Sequence, residues 1–401
     1  FFKYADFAIA QFNIFGNIVD LGSEIPLMNL ALPIGISFYS FQSISYIIDI
    51  YRGSLTPSKT LREYAFFVAF FPTLVAGPIL RAKQFLPQLR EKIEEVGTTG
   101  RLRQFVIHRS NLKFGLTLMA LGFLKKMFFA DNIGPLVDSI FSNPIGMESF
   151  SIMLGTIAFG VQIYCDFSGY SDIAIGAALI LGFKIPLNFN KPFFATSPSD
   201  FWGRWHISLS TWVRDYLYYP LIFKNRKSDV IVYSSLLFSM LLMGLWHGAS
   251  WNFVIWGGLH GIFLATHTII KRKFPQISLH PFFQRNTGRI FSVIATQYLV
   301  FFTFISFRVQ DFDHMWYSMQ KYVLWDFATE QVVELVALNK FPVILIIIFF
   351  ILNFASYKHG NLPKAIANIK LRYWFSFLGS VLMLVLIFET GPAQDFIYFK
   401  F

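Results

Sequence analysis

The stretch SMLLMGLWHGASWNFVIWGGLHG, residues 239–261, holds no Asp, Glu, Lys or Arg and carries two histidines, His247 and His260. A run this apolar belongs in a bilayer, where a titratable side chain is costly and usually has a task. Imidazole is also the side chain best suited to general-base chemistry near neutral pH. The bland alternative is that each histidine only hydrogen-bonds a neighbouring helix. Two of them, each followed by Gly and flanked by Trp, favour a chemical role. On one unbroken helix their separation in sequence turns them by about 220°, to nearly opposite faces. Convergence therefore requires a break, and Gly248, Ala249 and Ser250 supply a place for one.

Working outward, 55% of the 401 residues are hydrophobic and 14% are charged, with 50 Phe and 9 Trp. An ordinary soluble domain carries roughly 25% charged residues. The excess apolar length has to face lipid, and strand-type alternation is nowhere sustained. The expected fold class is all-α, a polytopic membrane protein. The net charge of +11 comes from basic segments between apolar runs, the pattern of cytoplasmic loops and not of nucleic-acid binding. Cys165 is the only cysteine, which excludes a disulfide framework or a thiolate metal cluster. The opening FFKYADFAIAQF lacks the basic start and cleavable core of a signal peptide. It reads as a segment already inside a membrane protein, and without an initiator Met a truncated N-terminus is expected.

Runs that approach the length of a spanning helix lie near 26–48, 64–80, 114–130, 148–165, 171–186, 230–247, 251–270, 288–308, 333–355 and 372–390. That gives about ten membrane segments, some broken by Pro33, Pro72, Pro78 and Gly169, in a single domain over 1–401. The basic stretches 81–113, 184–227 and 271–289 go to the cytoplasmic face by the positive-inside rule. The stretch 230–270 is then a membrane hairpin with His247 near its far turn. Parity fails in 52–113 and in 148–186, so re-entrant or interfacial segments are expected there. Non-helical backbone at membrane depth is tolerated only under cover of protein or water, which predicts an enclosed polar cavity.

Two further constellations bear on chemistry. YCDFSGYSD, residues 164–172, places Asp166 and Asp172 between apolar runs. Carboxylates there are paired or functional, so they either anchor a break at Gly169 or act directly. PSDFWGRWHISLSTWVRDYLYYPL, residues 198–221, crowds Trp202, Trp205 and Trp212 with Arg204, His206 and Arg214. It reads either as an interfacial amphipathic helix or as a surface where those basic groups meet an anionic donor, Arg being suited to phosphate. A hydrolase triad of His206, Ser208 and Asp215 is discounted, because no G-x-S-x-G elbow accompanies it. His108, His267, His280, His314 and His359 lie near charged loops or membrane ends and read as ordinary. Metalloprotease, ATPase and nicotinamide motifs are missing, and no metal is expected.

At these residues the chain resembles the membrane-bound O-acyltransferase (MBOAT) family. The resemblance rests on FPTLVAGPILRAKQFLPQL (71–89), YCDFSGYSDIAIGAALILGFKIPLNFNKPF (164–193), FWGRWHISLSTWVRDYLYYPL (201–221), MGLWHGASWNFVIWGGLHG (243–261) and the closing FIYFKF (396–401). It is nearest to the family's bacterial alginate O-acetyltransferase branch. The resemblance implies a central funnel or tunnel with a catalytic histidine deep inside, which matches His247, and a second histidine, which matches His260. It implies a thioester donor, acetyl-CoA, approaching from the cytoplasm near Arg204, His206 and Arg214. It also implies a periplasmic partner and a polysaccharide acceptor, in a bacterial inner membrane. Gly203 and LIFKNRKSD depart from the branch's usual cytoplasmic signature, which bears on how the donor is handled.

The expected function is therefore acetyl transfer toward an exported or cell-wall polysaccharide. His247 is the base or acetyl relay, His260 orients it, and Asp166 and Asp172 hold the cavity wall. Two alternatives stand beside it. One is transfer of D-alanine from a carrier protein to teichoic acid. The other is a transporter or flippase without covalent chemistry, for which broken helices are equally expected.

Overall fold

A computed structural model describes residues 2–20, 24–30, 33, 35–99, 109–388 and 396–397. His108, residues 100–107 and most of the closing FIYFKF lie outside the described residues. Among those described, every regular element is helical. Helices α1 (Ala5–Ile18), α2 (Ile36–Tyr51), α3 (Leu61–Val68) and α4 (Ala82–Thr99) come first. Next, α5 (Arg109–Phe123), a π-helical stretch Leu124–Ala130 and α6 (Asp131–Phe141) run end to end, and α7 (Ser149–Ile180) returns beside them. Short pieces follow: α8 (Pro198–Trp202), α9 (Ile207–Val213) and α10 (Tyr219–Ile222). The hairpin is α11 (Asp229–His247) and α12 (Trp251–Lys273). Small α13 (Pro275–Leu279) and α14 (Pro281–Gln284) lead to α15 (Asn286–Arg308) and α16 (Phe312–Val323). The chain continues through α17 (Glu330–Leu338), α18 (Lys340–His359), α19 (Leu362–Asn368) and α20 (Leu371–Ile387).

Five helices, α7, α11, α12, α15 and α18, are long and apolar enough to cross a membrane, and α20 is a shorter apolar helix. The protein is a multi-pass helical membrane protein. Helix α7 is its hub: 78% of its most apolar window lies inside the protein, against 22% for α18. A helix apolar on every side lies in a protein core or against lipid; α7 takes the first place, with α5, α6, α15 and α16 around it.

The structure corrects the expected break at Gly169. The runs 148–165 and 171–186 form one continuous helix through Ser168, Gly169 and Tyr170. Gly169 is there for space. A Cβ on it would sit 2.7 Å from the Gly122 carbonyl oxygen, and one on Gly122 would sit 2.5 Å from the Gly169 oxygen. Gly115 and Gly176 repeat the arrangement one heptad away, each facing the other's carbonyl oxygen. Small residues let two membrane helices close backbone to backbone. Counting 149–180 as one pass also restores even parity between the basic stretches at 113 and 184.

The other parity failure has a different solution. Within 64–80 only α3 is helical, and the chain from Phe70 to Leu80 is irregular and largely buried. Its backbone is covered by protein, as such depth requires; Ile79 N–H donates to Ser208 Oγ at 3.0 Å. A stretch that does not cross leaves 52–62 and 81–99 free to share one face of the protein.

Candidate active site

The sequence of α11 ends its helix at His247, and the chain restarts at Trp251 under the Ser250 side chain, whose Oγ accepts from Asn252 N–H. The break therefore falls at 248–250. Helices α11 and α12 then cross on glycine: a Cβ on Gly244 would lie 2.2 Å from the Phe253 carbonyl oxygen, and one on Gly257 would lie 2.2 Å from that of Met240. Gly248 is required for a related reason, since a Cβ there would sit 2.1 Å from the Phe253 ring.

His247 and His260 are both buried and share one neighbour. The indole of Trp256 lies edge-on to both, its centroid 4.9 Å from the His247 ring and 4.8 Å from the His260 ring. Trp246 and Phe307 complete the packing of His247; Trp202 packs on His260. The break thus brings two residues that helical arithmetic would separate onto one indole.

Hydrogen bonding fixes the His260 imidazole. His260 Nε2 lies 2.9 Å from Thr303 Oγ1, and that hydroxyl donates its only proton to the Val300 carbonyl at 2.7 Å. Thr303 can then only accept, so His260 Nε2 carries the proton and donates. Its Nε2 offers no lone pair. The His247 backbone carbonyl is held from another part of the chain, by Lys3 Nζ at 2.8 Å.

The basic trio predicted from 198–221 is divided. His206 is not at a surface: it is buried, packs on Phe167 at 4.6 Å, and takes a left-handed backbone with φ 43°. Its Nδ1 is 3.1 Å from Asn188 Oδ1. That oxygen also accepts from Ser208 Oγ at 2.7 Å and from Ser208 N–H, so it is the amide oxygen and His206 Nδ1 is the donor. Burial pushes the His206 imidazole down to about 3. His206 thus belongs with the buried imidazoles, whatever surface meets a donor.

Arg204 and Arg214 open on separate cavities, on either side of α8. Arg214, paired with Asp215 at 2.8 Å, lines an apolar cavity of about 380 Å³ together with Trp202, Ser239, Met240 and Met243. Ser239 and Met243 precede His247 by two turns and one turn on the same face of α11, so this cavity runs along the helix that ends in His247. Arg204, paired with Asp200 at 2.7 Å, lines a wider cavity of about 800 Å³. Its wall also carries Lys271, Arg285, Arg289 and His267. His267, read from sequence as ordinary, holds Ser199 Oγ at 3.0 Å beside this cavity.

Asp166 and Asp172 are both ion-paired, to the consecutive lysines of the π-helical stretch: Lys126 to Asp166 at 2.9 Å and Lys125 to Asp172 at 2.6 Å. Lys126 also pairs with Asp131 at 2.6 Å. The i→i+5 turn is rare and frequently marks a functional site; here it carries two ammonium groups onto two carboxylates of α7. The discounted triad does not form, since Ser208 bonds Asn188 and Asp215 bonds Arg81. Sequence reasoning missed Trp256, Thr303, Asn188 and Lys3. Thr303, Asn188 and Lys3 carry no local signal, because each acts across a long sequence separation; Trp256 lies within the quoted stretch, and its contact with His247 depends on the break at 248–250.

An all-helical multi-pass protein that buries imidazoles beside an internal cavity has the makings of an enzyme working within the bilayer. The chain belongs to the membrane-bound O-acyltransferase family: the family described as "MBOAT, membrane-bound O-acyltransferase family" matches residues 58–309. It is 38% identical over 378 residues to "Probable alginate O-acetylase AlgI" of Azotobacter vinelandii, covering 92% of this chain and 70% of that protein. It is 36% identical over 301 residues to the peptidoglycan O-acetyltransferase of Helicobacter pylori, covering 68% of this chain and 54% of that protein. It is 30% identical over 303 residues to the teichoic acid D-alanyltransferase of Bacillus subtilis, covering 72% of each. The chain spans 59% of the length of a second probable alginate O-acetylase, that of Pseudomonas aeruginosa.

Proposed function

We propose that the protein is an inner-membrane O-acyltransferase that moves an acetyl group from cytoplasmic acetyl-CoA toward hydroxyls of an exported or cell-wall polysaccharide. A periplasmic partner completes the transfer. The observation that carries this reading is the buried His247 at the end of α11, one turn beyond an apolar cavity whose wall holds Arg214. An apolar slot suits an acyl thioester arm, and the four Lys and Arg side chains around the adjoining 800 Å³ cavity suit the donor's phosphates.

In the reaction, His247 takes the proton from an acceptor hydroxyl as its oxygen attacks the thioester carbonyl. The C–O bond forms, the C–S bond breaks, and the leaving thiolate recovers the proton from the imidazolium. His260, with Nε2 committed to Thr303, holds Trp256 and through it the His247 ring. His206 lies among the buried groups that tune the interior, while Arg204 and Arg214 handle the donor from separate sides of α8.

Replacing His247 by Ala should lower acetylation by ~10²-fold or more while leaving the protein folded in the membrane. Purified protein given labelled acetyl-CoA, and the acetyl content of the exported polymer, both measure it. Unchanged acetylation would sink the assignment. The similarity to a teichoic acid D-alanyltransferase supports a second reading, in which the donor is an aminoacyl thioester on a carrier protein. Neighbouring genes separate the two: a carrier protein and its ligase for alanylation, an esterase-like periplasmic transferase for acetylation. Family membership favours either over transport without covalent chemistry.

A further inference from the structure

Helix α11 ends at His247 without the usual backbone closure. Many helices finish on a left-handed residue whose N–H and its successor's satisfy the last carbonyls; Gly248 is extended instead, with φ −161°. The carbonyls of the last turn therefore need another donor. Lys3 supplies it: Nζ donates to the Trp246 oxygen at 2.7 Å and to the His247 oxygen at 2.8 Å. A cation here also meets the negative end of the helix dipole. The same segment holds the other side of the break. Phe7 packs edge-on to Trp251 with centroids 6.0 Å apart, and Gln11 Oε1 accepts from Trp251 Nε1 at 3.0 Å. Residues 3, 7 and 11 recur at helical spacing, so one face of the N-terminal segment touches the end of α11 and the start of α12 together.

We propose that this segment is a clamp across the 248–250 break and that Lys3 is a positioning residue for His247. The inference rests on the reading of His247 as the base. Three residues between two helices leave the last turn of α11 otherwise open to fraying, and the ring direction of His247 follows the backbone of that turn. Holding two successive carbonyls on one ammonium fixes it.

The pH response follows from where Lys3 sits. It lines a cavity of about 210 Å³ with Tyr4, Ser37, Ser40, Phe41 and Trp246. The titratable groups facing it are Tyr4 beside it and His247 from α11; α2 presents hydroxyls and apolar side chains there. Burial pulls the Lys3 ammonium down to about 8. Lys3 is therefore charged below that pH and loses the charge as pH rises through it, so the clamp weakens on the alkaline side.

The test uses the full chain in detergent or nanodiscs with Lys3→Met and Lys3→Arg. In acetyl-CoA turnover, Lys3→Met should lower kcat about tenfold and leave KM within about twofold, the pattern of a misplaced reactive group. Lys3→Arg should restore kcat and remove the alkaline fall near pH 8, since Arg stays charged. Wild-type kcat and pH profile in Lys3→Met, with His247→Ala inactive, would overturn the clamp and leave the reading of His247 standing. If His247→Ala retains full activity, that reading fails. The clamp is then judged by the rate at which diethyl pyrocarbonate modifies His247, followed by peptide mass spectrometry. A severalfold change in Lys3→Met reversed by Lys3→Arg supports it, and an unchanged rate overturns it. Should Lys3→Met not fold, Gln11→Ala and Trp251→Phe remove the other contact. Each is expected to lower kcat by a smaller factor, and wild-type values in both would overturn the proposal.

Discussion

His247 and His260 have the same side chain and share the Trp256 indole. The Thr303 hydroxyl spends its proton on Val300, which forces His260 Nε2 to donate. His260 is thereby fixed in tautomer and in place. Thr303→Val should leave that N–H unpaired in the interior, costing about 1–3 kcal/mol of stability. Acetylation should fall and yet persist, in contrast to His247→Ala; thermal melting in detergent and labelled acetyl-CoA turnover measure the two effects. A Thr303→Val protein as inactive as His247→Ala would place His260 in the chemistry instead. Two histidines in an apolar run could be seen in the sequence. That Thr303 anchors His260 could not, because the anchor lies 43 residues away on another helix.

Helices meet here on glycine. Gly244 and Gly257 set the α11–α12 crossing, and two glycine pairs set the α5–α7 crossing, all with carbonyl oxygens where a Cβ would go. Gly257→Leu should force the hairpin apart at a cost of at least about 1–3 kcal/mol. It should lower the melting temperature and, by moving Trp256, the activity. Gly258→Ala, one residue away, meets only the end of Leu241 at 3.5 Å and should be close to neutral. Equal effects from the two substitutions would contradict the crossing. At the other end of the long helix, α7 starts under borrowed caps: Ser149 N–H donates to the Asp326 carboxylate, and Glu148 and Gln331 exchange reciprocal bonds. The helix period was legible in the sequence. A glycine that breaks a helix and one that lets a partner approach look alike there, which is why Gly169 reads as a break and is not one.

Across the molecule, the carboxylates of 164–172 tie the π-helical stretch to the hub. The Asp166 side chain is 2% exposed, pairs with Lys126, and accepts from the backbone N–H of Ile397 near the chain's far end at 2.9 Å. Replacing Asp166 by Leu leaves Lys126 with Asp131 and takes the acceptor from the buried Ile397 N–H, and an unsatisfied buried donor costs about 1–3 kcal/mol. Folded yield and thermal stability should drop sharply, while Asp172→Asn, at a more open pair, should cost less. Comparable losses from both would argue against the Ile397 link as the reason Asp166 is sequestered. A catalytic Asp166 would instead show near-normal folding with lost turnover.

The sequence by itself determined that this is a helical membrane protein, placed a hairpin over 230–270 with 248–250 as the place for a break, and set His247 in a stretch that resembles the acyltransferase family. Those facts are local: apolar length, helical period and a short motif are each written within a few turns of chain. Only the tertiary structure decided which basic residues share a cavity, that His206 is buried, and that one indole joins His247 to His260. It also decided that Lys3 closes the helix ending in His247. Each of these is set by which helices pack together or, for Trp256, by how the chain turns at 248–250, and periodicity along one segment holds no record of what lies across from it.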